Sequence, residues 1–177
     1  SYTPQELILA AGLTPMRIPS SGAGAHEWTQ SYLPANLCPY VHRLLQAGLS
    51  GKLPPLLGTV FVDSCDPMRR LADIWHLYAE SGFFHRLDVP RRDDLSAQTF
   101  FLSGLEELRY ALEELTGERV GERDLNMASA LLNRTRRIMR ELSRMRAMPD
   151  PALTGSQLQR IALLAEGMSR ERFNDLA

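Results

Sequence analysis

The residues best suited to chemistry in this sequence are its two cysteines, Cys38 and Cys65. They stand in the segments LCPY (37–40) and DSCDP (63–67). In each segment a proline follows the cysteine at or near a position that suits the first turn of a helix, because proline lacks the N–H that has no partner there. The sequence therefore predicts that each cysteine immediately precedes a helix.

The start of a helix suits a metal-binding thiol, because its unpaired N–H groups and its dipole favour the negatively charged thiolate. Two such thiols facing each other would make half of a metal or cluster site, since an iron–sulfur cluster takes about four protein ligands. No C-x-x-C motif is present. The spacing alone fits a second interpretation as well, in which both cysteines are small buried packing residues.

Three polar residues near the cysteines are candidates for hydrogen bonding around such a site. Ser64 and Asp66 flank Cys65, and His42 follows Cys38 by one helical turn. Each also has a plain structural interpretation: Asp66 suits a helix cap, and His42 suits a surface or core histidine. The sequence assigns no catalytic residue.

The first half of the chain alternates helix and strand patterns. Helices are predicted from Thr3 to Gly12, from 36–39 to 48–51, and from Asp66 onward; strands are predicted at 16–18, 59–62 and 83–89. This alternation is typical of an α/β fold with a small, mostly parallel, flavodoxin-like or Rossmann-like sheet. Cys65 follows a strand directly, so it is expected at the carboxyl end of the sheet, where such folds bind ligands.

The second half has only helical patterns, at 95–115, 122–145, 156–166 and 170–176. We therefore expect an α/β cluster-binding domain over residues 1–92, followed by a helical extension over residues 93–177. A long helical tail of this kind usually packs on a sheet, on a further domain or on another subunit.

Composition narrows the class of protein. The formal charge is −1, which lacks the basic excess of a dedicated nucleic-acid binder. No apolar run approaches the roughly 20 residues that span a bilayer, and the start of the chain lacks the pattern of a signal peptide. Two distant cysteines in an unexported chain favour free thiols or ligands. A cytoplasmic protein without nucleic-acid or membrane partners is expected.

Several segments, in the same order along the chain, resemble the 2-hydroxyacyl-CoA dehydratase and benzoyl-CoA reductase family. YTPQELILAAGLTP (2–15) resembles the opening of 2-hydroxyglutaryl-CoA dehydratase D-component-like subunits, in their N-terminal half. LCPYV (37–41) and VFVDSCDPMRRL (60–71) resemble the segments with the first and second cluster cysteines. LDVP (87–90), LEELTG (112–117) and the stretch from 125 onward resemble the family's helical part.

The resemblance implies an iron–sulfur enzyme component, a lyase or reductase of anaerobic metabolism. In this family paired subunits each hold a [4Fe-4S] cluster through three cysteines, and an ATP-dependent activator protein supplies one electron. The electron passes to the thioester carbonyl of an acyl-CoA, so that a hydroxyl can leave or an aromatic ring is reduced. By resemblance, Cys38 and Cys65 are cluster ligands, and the partners are an acyl-CoA substrate, a homologous subunit and the activator.

The third cluster cysteine of the family has no counterpart in this chain, and neither has the C-terminal α/β half that carries it. The resemblance therefore implies an N-terminal fragment of a larger subunit, inactive by itself. The resemblance does not identify the acyl-CoA, or distinguish dehydration from ring reduction. The alternative is a non-catalytic flavodoxin-like binding or scaffold domain with structural cysteines.

Overall fold

A two-stranded parallel sheet forms the β part of the protein, seen in a computed structural model that describes residues 2–18, 27–51, 53–79 and 82–177. The strands are β1 (Gly58–Val62) and β2 (Phe83–Leu87). Their register runs from Gly58 opposite Phe83 to Val62 opposite Leu87. Both strands consist largely of β-branched and aromatic residues, which suit a pleated and partly buried surface.

Helices make up most of the rest of the described chain. Their bounds are α1 (Gln5–Ala10), α2 (Pro39–Leu49), α3 (Asp66–Tyr78), α4 (Leu95–Thr116), α5 (Glu122–Arg146), α6 (Gly155–Gly167) and α7 (Arg170–Leu176), with a short 3₁₀ helix at Glu27–Ser31. The helix α3 connects the two parallel strands, as expected for a βαβ unit. The predicted α/β class with a small parallel sheet and following helices is confirmed.

The end of α1 illustrates how local sequence sets an element. Gly12 has φ of +76°, a left-handed conformation that glycine adopts without steric cost. Its N–H donates to the carbonyl of Leu9, and the N–H of Leu13 donates to the carbonyl of Ile8. These bonds satisfy helix carbonyls that would otherwise have no partner, so the helix stops where the glycine predicted.

One local prediction was wrong. Residues 16–18 do not form a strand, because the N–H of Arg17 donates to the carbonyl of Glu166 and its guanidinium lies 3.1 Å from the Glu166 carboxylate. The segment thus lies against the end of a helix. The predicted end of the second helix at 48–51 is confirmed, since α2 ends at Leu49 and Ser50 is its C-cap.

The chain divides into two compact units. Unit 1 comprises Ser1–Pro4 and Ser20–Leu115, and unit 2 comprises Gln5–Pro19 and Thr116–Ala177. The expected boundary near residue 92 stays a prediction. The buried apolar residues in unit 1 include Leu33, Val41, Leu44, Leu45, Phe61, Val62, Leu71, Ala72, Trp75, Leu87, Leu108 and Leu112.

In unit 2, α1 packs on α5, and α5 also packs on α6 and α7. An Arg136–Glu6 ion pair of 2.6 Å joins α1 to α5. Near the end of the chain the Thr135 hydroxyl donates to Asn174 Oδ1 at 2.7 Å, and both side chains are buried. The described helices of both units include none with the length and apolar character needed to cross a bilayer.

Candidate functional site

Cys38 is the N-cap residue of α2. Its backbone is extended, with φ of −62° and ψ of 145°, and Pro39 occupies the first turn. The Cys38 carbonyl accepts from the N–H of Val41, but its side chain makes no capping hydrogen bond. The cysteine is exposed. Its thiol therefore stands at a helix N-terminus whose N–H groups have no side-chain acceptor from the cap position.

Cys65 is the N-cap residue of α3. Its backbone is also extended, with φ of −160° and ψ of 164°, and its side chain likewise makes no capping bond. Only Asp63 and Ser64 separate it from the end of β1, so it lies at the carboxyl end of that strand. It is partly buried. The predicted placement of both cysteines immediately before a helix is confirmed.

The helices that carry the two cysteines pack against each other. A Cβ added at Gly48 of α2 would lie 2.5 Å from Cζ3 of Trp75 in α3, so the indole of Trp75 occupies the space that a side chain would need. Gly48 is the tenth residue after Cys38, and Trp75 is the tenth residue after Cys65. In both helices the residue that makes this close contact is therefore the tenth after the cysteine.

An ion-pair network lies beside Cys65. The Asp63 side chain is only 3% exposed, and its Oδ2 accepts from Arg86 Nε at 2.8 Å and lies 3.3 Å from Arg69 Nε. Arg86 Nη1 also donates to Asp73 Oδ1 at 2.7 Å. Burial acts to lower the pKa of Arg86, but the hydrogen bonds and charges of Asp63 and Asp73 outweigh it and raise that pKa above the ordinary value.

His42 is buried and has partners at both ring nitrogens. Nδ1 lies 2.9 Å from the Thr29 hydroxyl, and Nε2 lies 3.2 Å from the Pro34 carbonyl. A carbonyl can only accept, so Nε2 carries a proton and donates to Pro34. The ring therefore connects α2 to the loop that precedes Cys38. Its role beside a cluster stays a prediction.

Ser64 and Asp66 flank Cys65 in the sequence and form contacts with other residues. The Ser64 N–H donates to the carbonyl of Val62 at 2.7 Å, which makes a tight turn at the end of β1. Asp66 is the first residue of α3, so the cap position that suited it is held by Cys65. Its exposed carboxylate lies 3.6 Å from Arg70 Nε. The hydrogen-bonding roles predicted for both residues around a cluster remain predictions.

Sequence reasoning missed Asp63 and Arg86. A charged residue directly after an apolar strand was a signal that Asp63 needs a partner. Arg86 could not be chosen as that partner, because the pairing depends on the register of β1 and β2.

In the described ranges, no three or more His, Cys, Asp or Glu side chains are grouped so that they could hold a metal ion. The chain contains two cysteines, and a cluster normally takes about four ligands. Two thiols are therefore what this chain offers to any iron–sulfur cluster. The two N-termini fit such a group in one respect, since neither has a side-chain acceptor from its cap.

The architecture is that of an α/β protein with one thiol at each of two helix N-termini. Over residues 1–177 the chain matches the family model described as 2-hydroxyglutaryl-CoA dehydratase, D-component. The chain belongs to this family, which confirms the resemblance of its segments.

The similar curated proteins are subunits of dehydratases and of a reductase. The chain is 29% identical over 153 residues to one of the benzoyl-CoA reductase subunits of Thauera aromatica, a match that covers 82% of this chain and 38% of that protein. It is 27% identical over 143 residues to the (R)-phenyllactyl-CoA dehydratase beta subunit of Clostridium sporogenes, covering 80% and 38%.

A third relative is the beta subunit of (R)-2-hydroxyglutaryl-CoA dehydratase from Acidaminococcus fermentans, 23% identical over 168 residues and covering 93% of this chain and 44% of that subunit. The chain thus spans about two fifths of the length of the relatives it matches.

Proposed function

We propose that this chain is part of an iron–sulfur subunit of a 2-hydroxyacyl-CoA dehydratase or benzoyl-CoA reductase-type enzyme, with Cys38 and Cys65 as two ligands of a [4Fe-4S] cluster. Family membership and the names of the relatives support an enzyme component that acts on acyl-CoA thioesters. When bound, the cluster supplies one electron to the thioester carbonyl. The chain's own task is to hold two thiolates in place.

The observation that carries the proposal is the shared placement of the two thiols. Each is the N-cap of a helix, and the helices meet ten residues further along. At 1.5 Å per residue, each N-cap lies about 15 Å along its helix from that contact.

The connections of the chain favour the same end of the sheet for both thiols. The helix α3 begins at the carboxyl end of β1, and the short connection after α2 leads to the amino end of β1. Two helices that both finish toward the amino ends of the strands run in the same direction. Their N-termini, and so Cys38 and Cys65, are then directed to the edge where open α/β sheets bind ligands.

The exposure of the thiols disfavours the scaffold alternative with structural cysteines. Cysteine used as a packing residue is among the most buried residue types. Here Cys38 is exposed and Cys65 is only partly buried. Neither residue is fully buried, as that alternative requires.

Further ligands and partners belong to the proposal as well. A cluster with about four ligands needs more than the two cysteines of this chain, and we propose that a segment outside this chain or a partner supplies the rest. We include in the proposal a homologous partner subunit, since several relatives are named as subunits. The proposal also includes an ATP-dependent activator protein, a cytoplasmic location and the inactivity of this chain alone.

The test uses the protein expressed from its complete reading frame and purified without oxygen. Iron and acid-labile sulfide are measured in the unchanged protein and in Cys38→Ser and Cys65→Ser variants. We expect the unchanged protein to be brown and both variants to lose most of their iron while keeping their far-ultraviolet circular dichroism. Ser50→Ala is the matched control, because it alters an exposed serine at the end of α2 opposite to Cys38 without removing a thiol.

An iron-free, colourless unchanged protein contradicts the proposal and favours the scaffold domain. So does full iron content in both cysteine variants. Loss of iron in Ser50→Ala to the same degree would show that an unrelated substitution is enough, and would remove the argument for ligation by the cysteines.

A further inference from the structure

One guanidinium contacts the chain on both sides of Cys65. Arg86 of β2 binds Asp63, which directly follows β1, and Asp73, which lies in α3. Cys65 stands between these two carboxylates in the sequence and is the N-cap of the helix that carries Asp73. A single side chain therefore fixes the strand end relative to the helix on which the thiol is mounted.

Of the two contacts of Arg86, the one with Asp63 involves a buried charge. The Asp63 carboxylate is almost fully buried, and a buried charge is costly unless it is paired. Arg86 Nε approaches Oδ2 at 2.8 Å, and the Asp63 N–H donates to the Leu87 carbonyl at 2.9 Å. Both the backbone and the side chain of Asp63 are thus held against β2.

The pairing is nevertheless incomplete. Asp63 Oδ1 is buried and has no hydrogen-bond partner among the described residues. An ion pair between a partly exposed guanidinium and a buried carboxylate that keeps one unsatisfied oxygen contributes little net stability. The Arg86–Asp63 ion pair is therefore better explained by the position of the turn that it fixes than by a contribution to the free energy of unfolding.

The turn leaves little freedom between Asp63 and Cys65. Ser64 donates its N–H to the Val62 carbonyl, and the Cys65 carbonyl accepts from the Arg69 N–H of α3. With Asp63 held at one end and α3 held through Asp73 at the other, Cys65 has few positions available.

We propose that Arg86 is a positioning residue: by binding Asp63 and Asp73 together, it sets the position of the Cys65 thiol for cluster binding. This inference rests on the proposed function, in which Cys65 binds a cluster. The effect of Arg86 on the position of Cys65 can also be tested in iron-free protein. Arg69, which also contacts Asp63, is half exposed and adds a weaker contact at 3.3 Å.

The main variant is Arg86→Lys. Lysine keeps a positive charge to compensate the buried Asp63, but its single ammonium group cannot reproduce the two separate contacts of the guanidinium fork. The measurement is the rate at which a small alkylating reagent modifies Cys65 in iron-free protein, followed by mass spectrometry. Cys38 in the same chain is the internal control.

We expect alkylation of Cys65 to become about fivefold faster in Arg86→Lys, because loss of one partly exposed ion pair opens the turn by about that factor. The rate at Cys38 should stay unchanged, since that thiol lies on another helix. Arg144→Lys is the matched control variant, because Arg144 pairs with Glu141 on an exposed helix surface. It should alter neither rate.

In anaerobically purified protein from the complete reading frame, Arg86→Lys should also change the electron paramagnetic resonance signal of the reduced cluster or lower its iron content. A role in fold stability alone would speed up both cysteines together and leave the signal of the remaining cluster unchanged. That result overturns the inference.

The two proposals fail in different ways. If the unchanged protein holds no iron, the proposed function fails, and the alkylation rates still decide whether Arg86 positions Cys65. If the protein holds iron but a folded Arg86→Lys variant alkylates like the unchanged protein, the positioning role is refuted while the function stands. Should Arg86→Lys not fold, the double variant Arg86→Gln with Asp63→Asn removes both charges, and the same rates decide.

Discussion

The indole of Trp75 fills the space above Gly48, where an added Cβ would lie 2.5 Å from Cζ3 and 2.6 Å from Cη2 of the ring. Real Cβ atoms do not make contacts this short. The helices α2 and α3 can therefore approach each other this closely only because residue 48 has no side chain. Trp75 is itself 2% exposed and has little room to move.

Gly48→Ala should therefore lower the free energy of unfolding by about 1–2 kcal/mol. Alanine in a helix interior gains about 1 kcal/mol over glycine, but overpacking a rigid core costs about 1–3 kcal/mol, and the enclosed Trp75 ring places this site toward the upper end. Urea unfolding measures the difference. Gly155→Ala is the control, because nothing lies within 4 Å of its added Cβ.

The double variant Gly48→Ala with Trp75→Phe tests the cause. Phenylalanine lacks the outer ring atoms that meet the new methyl group, so the two changes together should cost less than the sum of each alone. An additive result would show that the penalty at Gly48 does not come from Trp75.

His42→Phe should lower the free energy of unfolding by about 1–3 kcal/mol, the range for losing a partner of a buried polar group. The change removes the donor to the Pro34 carbonyl and the ring partner of the Thr29 hydroxyl. Thermal unfolding is the measurement, and His76→Phe on an exposed stretch of α3 is the control. Equal effects of both variants would contradict a specific role for the His42 bonds.

The stability of the protein should depend on pH through His85. Burial lowers the pKa of His85 below its ordinary value of 6.5, and the charge of Glu107 opposes this only in part. Protonation is thus less favourable in the folded state than in the unfolded state. Stability from the neutral ring is complete above the unfolded pKa and falls as the pH drops from about 6.5 toward the lower folded value.

His85→Gln removes this titration, so the variant should lose less stability than the unchanged protein between about pH 7.5 and about pH 5.5. Urea midpoints at both pH values give the comparison, and His76→Gln controls for replacing a histidine elsewhere in unit 1. Identical losses in His85→Gln and the unchanged protein would contradict the assignment.

Asn174→Ala should destabilise unit 2 by about 1–3 kcal/mol, because it removes a buried amide with two partners. Asn174 Oδ1 accepts from the Thr135 hydroxyl, and its Nδ2 donates to the Leu131 carbonyl. Asn133→Ala, at an exposed position on α5, is the matched control, with an effect within about 0.5 kcal/mol. Calorimetric unfolding of both variants is the measurement; a neutral Asn174→Ala refutes the prediction.

Local pattern was enough to predict most of the elements. The apolar run at 59–62 and the prolines beside both cysteines depend on neighbours in the sequence, so β1 and the starts of α2 and α3 were predicted within a residue or two. Residues 16–18 were mistaken for a strand for the same reason. Their apolar pattern is short, and only the distant Glu166 shows that they lie on a helix end.

The contacts that position Cys65 could not be predicted in this way. Arg86 stands opposite Phe61 in the parallel register, which brings its side chain to Asp63 beyond the strand end. A parallel register is set by the packing of the connecting helix and not by any turn signal. Local pattern therefore identified the thiol but not the guanidinium beside it.

The discontinuous makeup of unit 2 constrains the order in which the chain assembles. Its first helix, α1, packs against α5, and Glu6 meets Arg136 across 130 positions of sequence. On the ribosome, α1 emerges long before its docking surface has been synthesised, whereas the strands of unit 1 and the helix between them are close neighbours in the chain. Docking of α1 therefore waits for the synthesis of α5, so α1 reaches these contacts later than the neighbouring elements of unit 1 reach theirs.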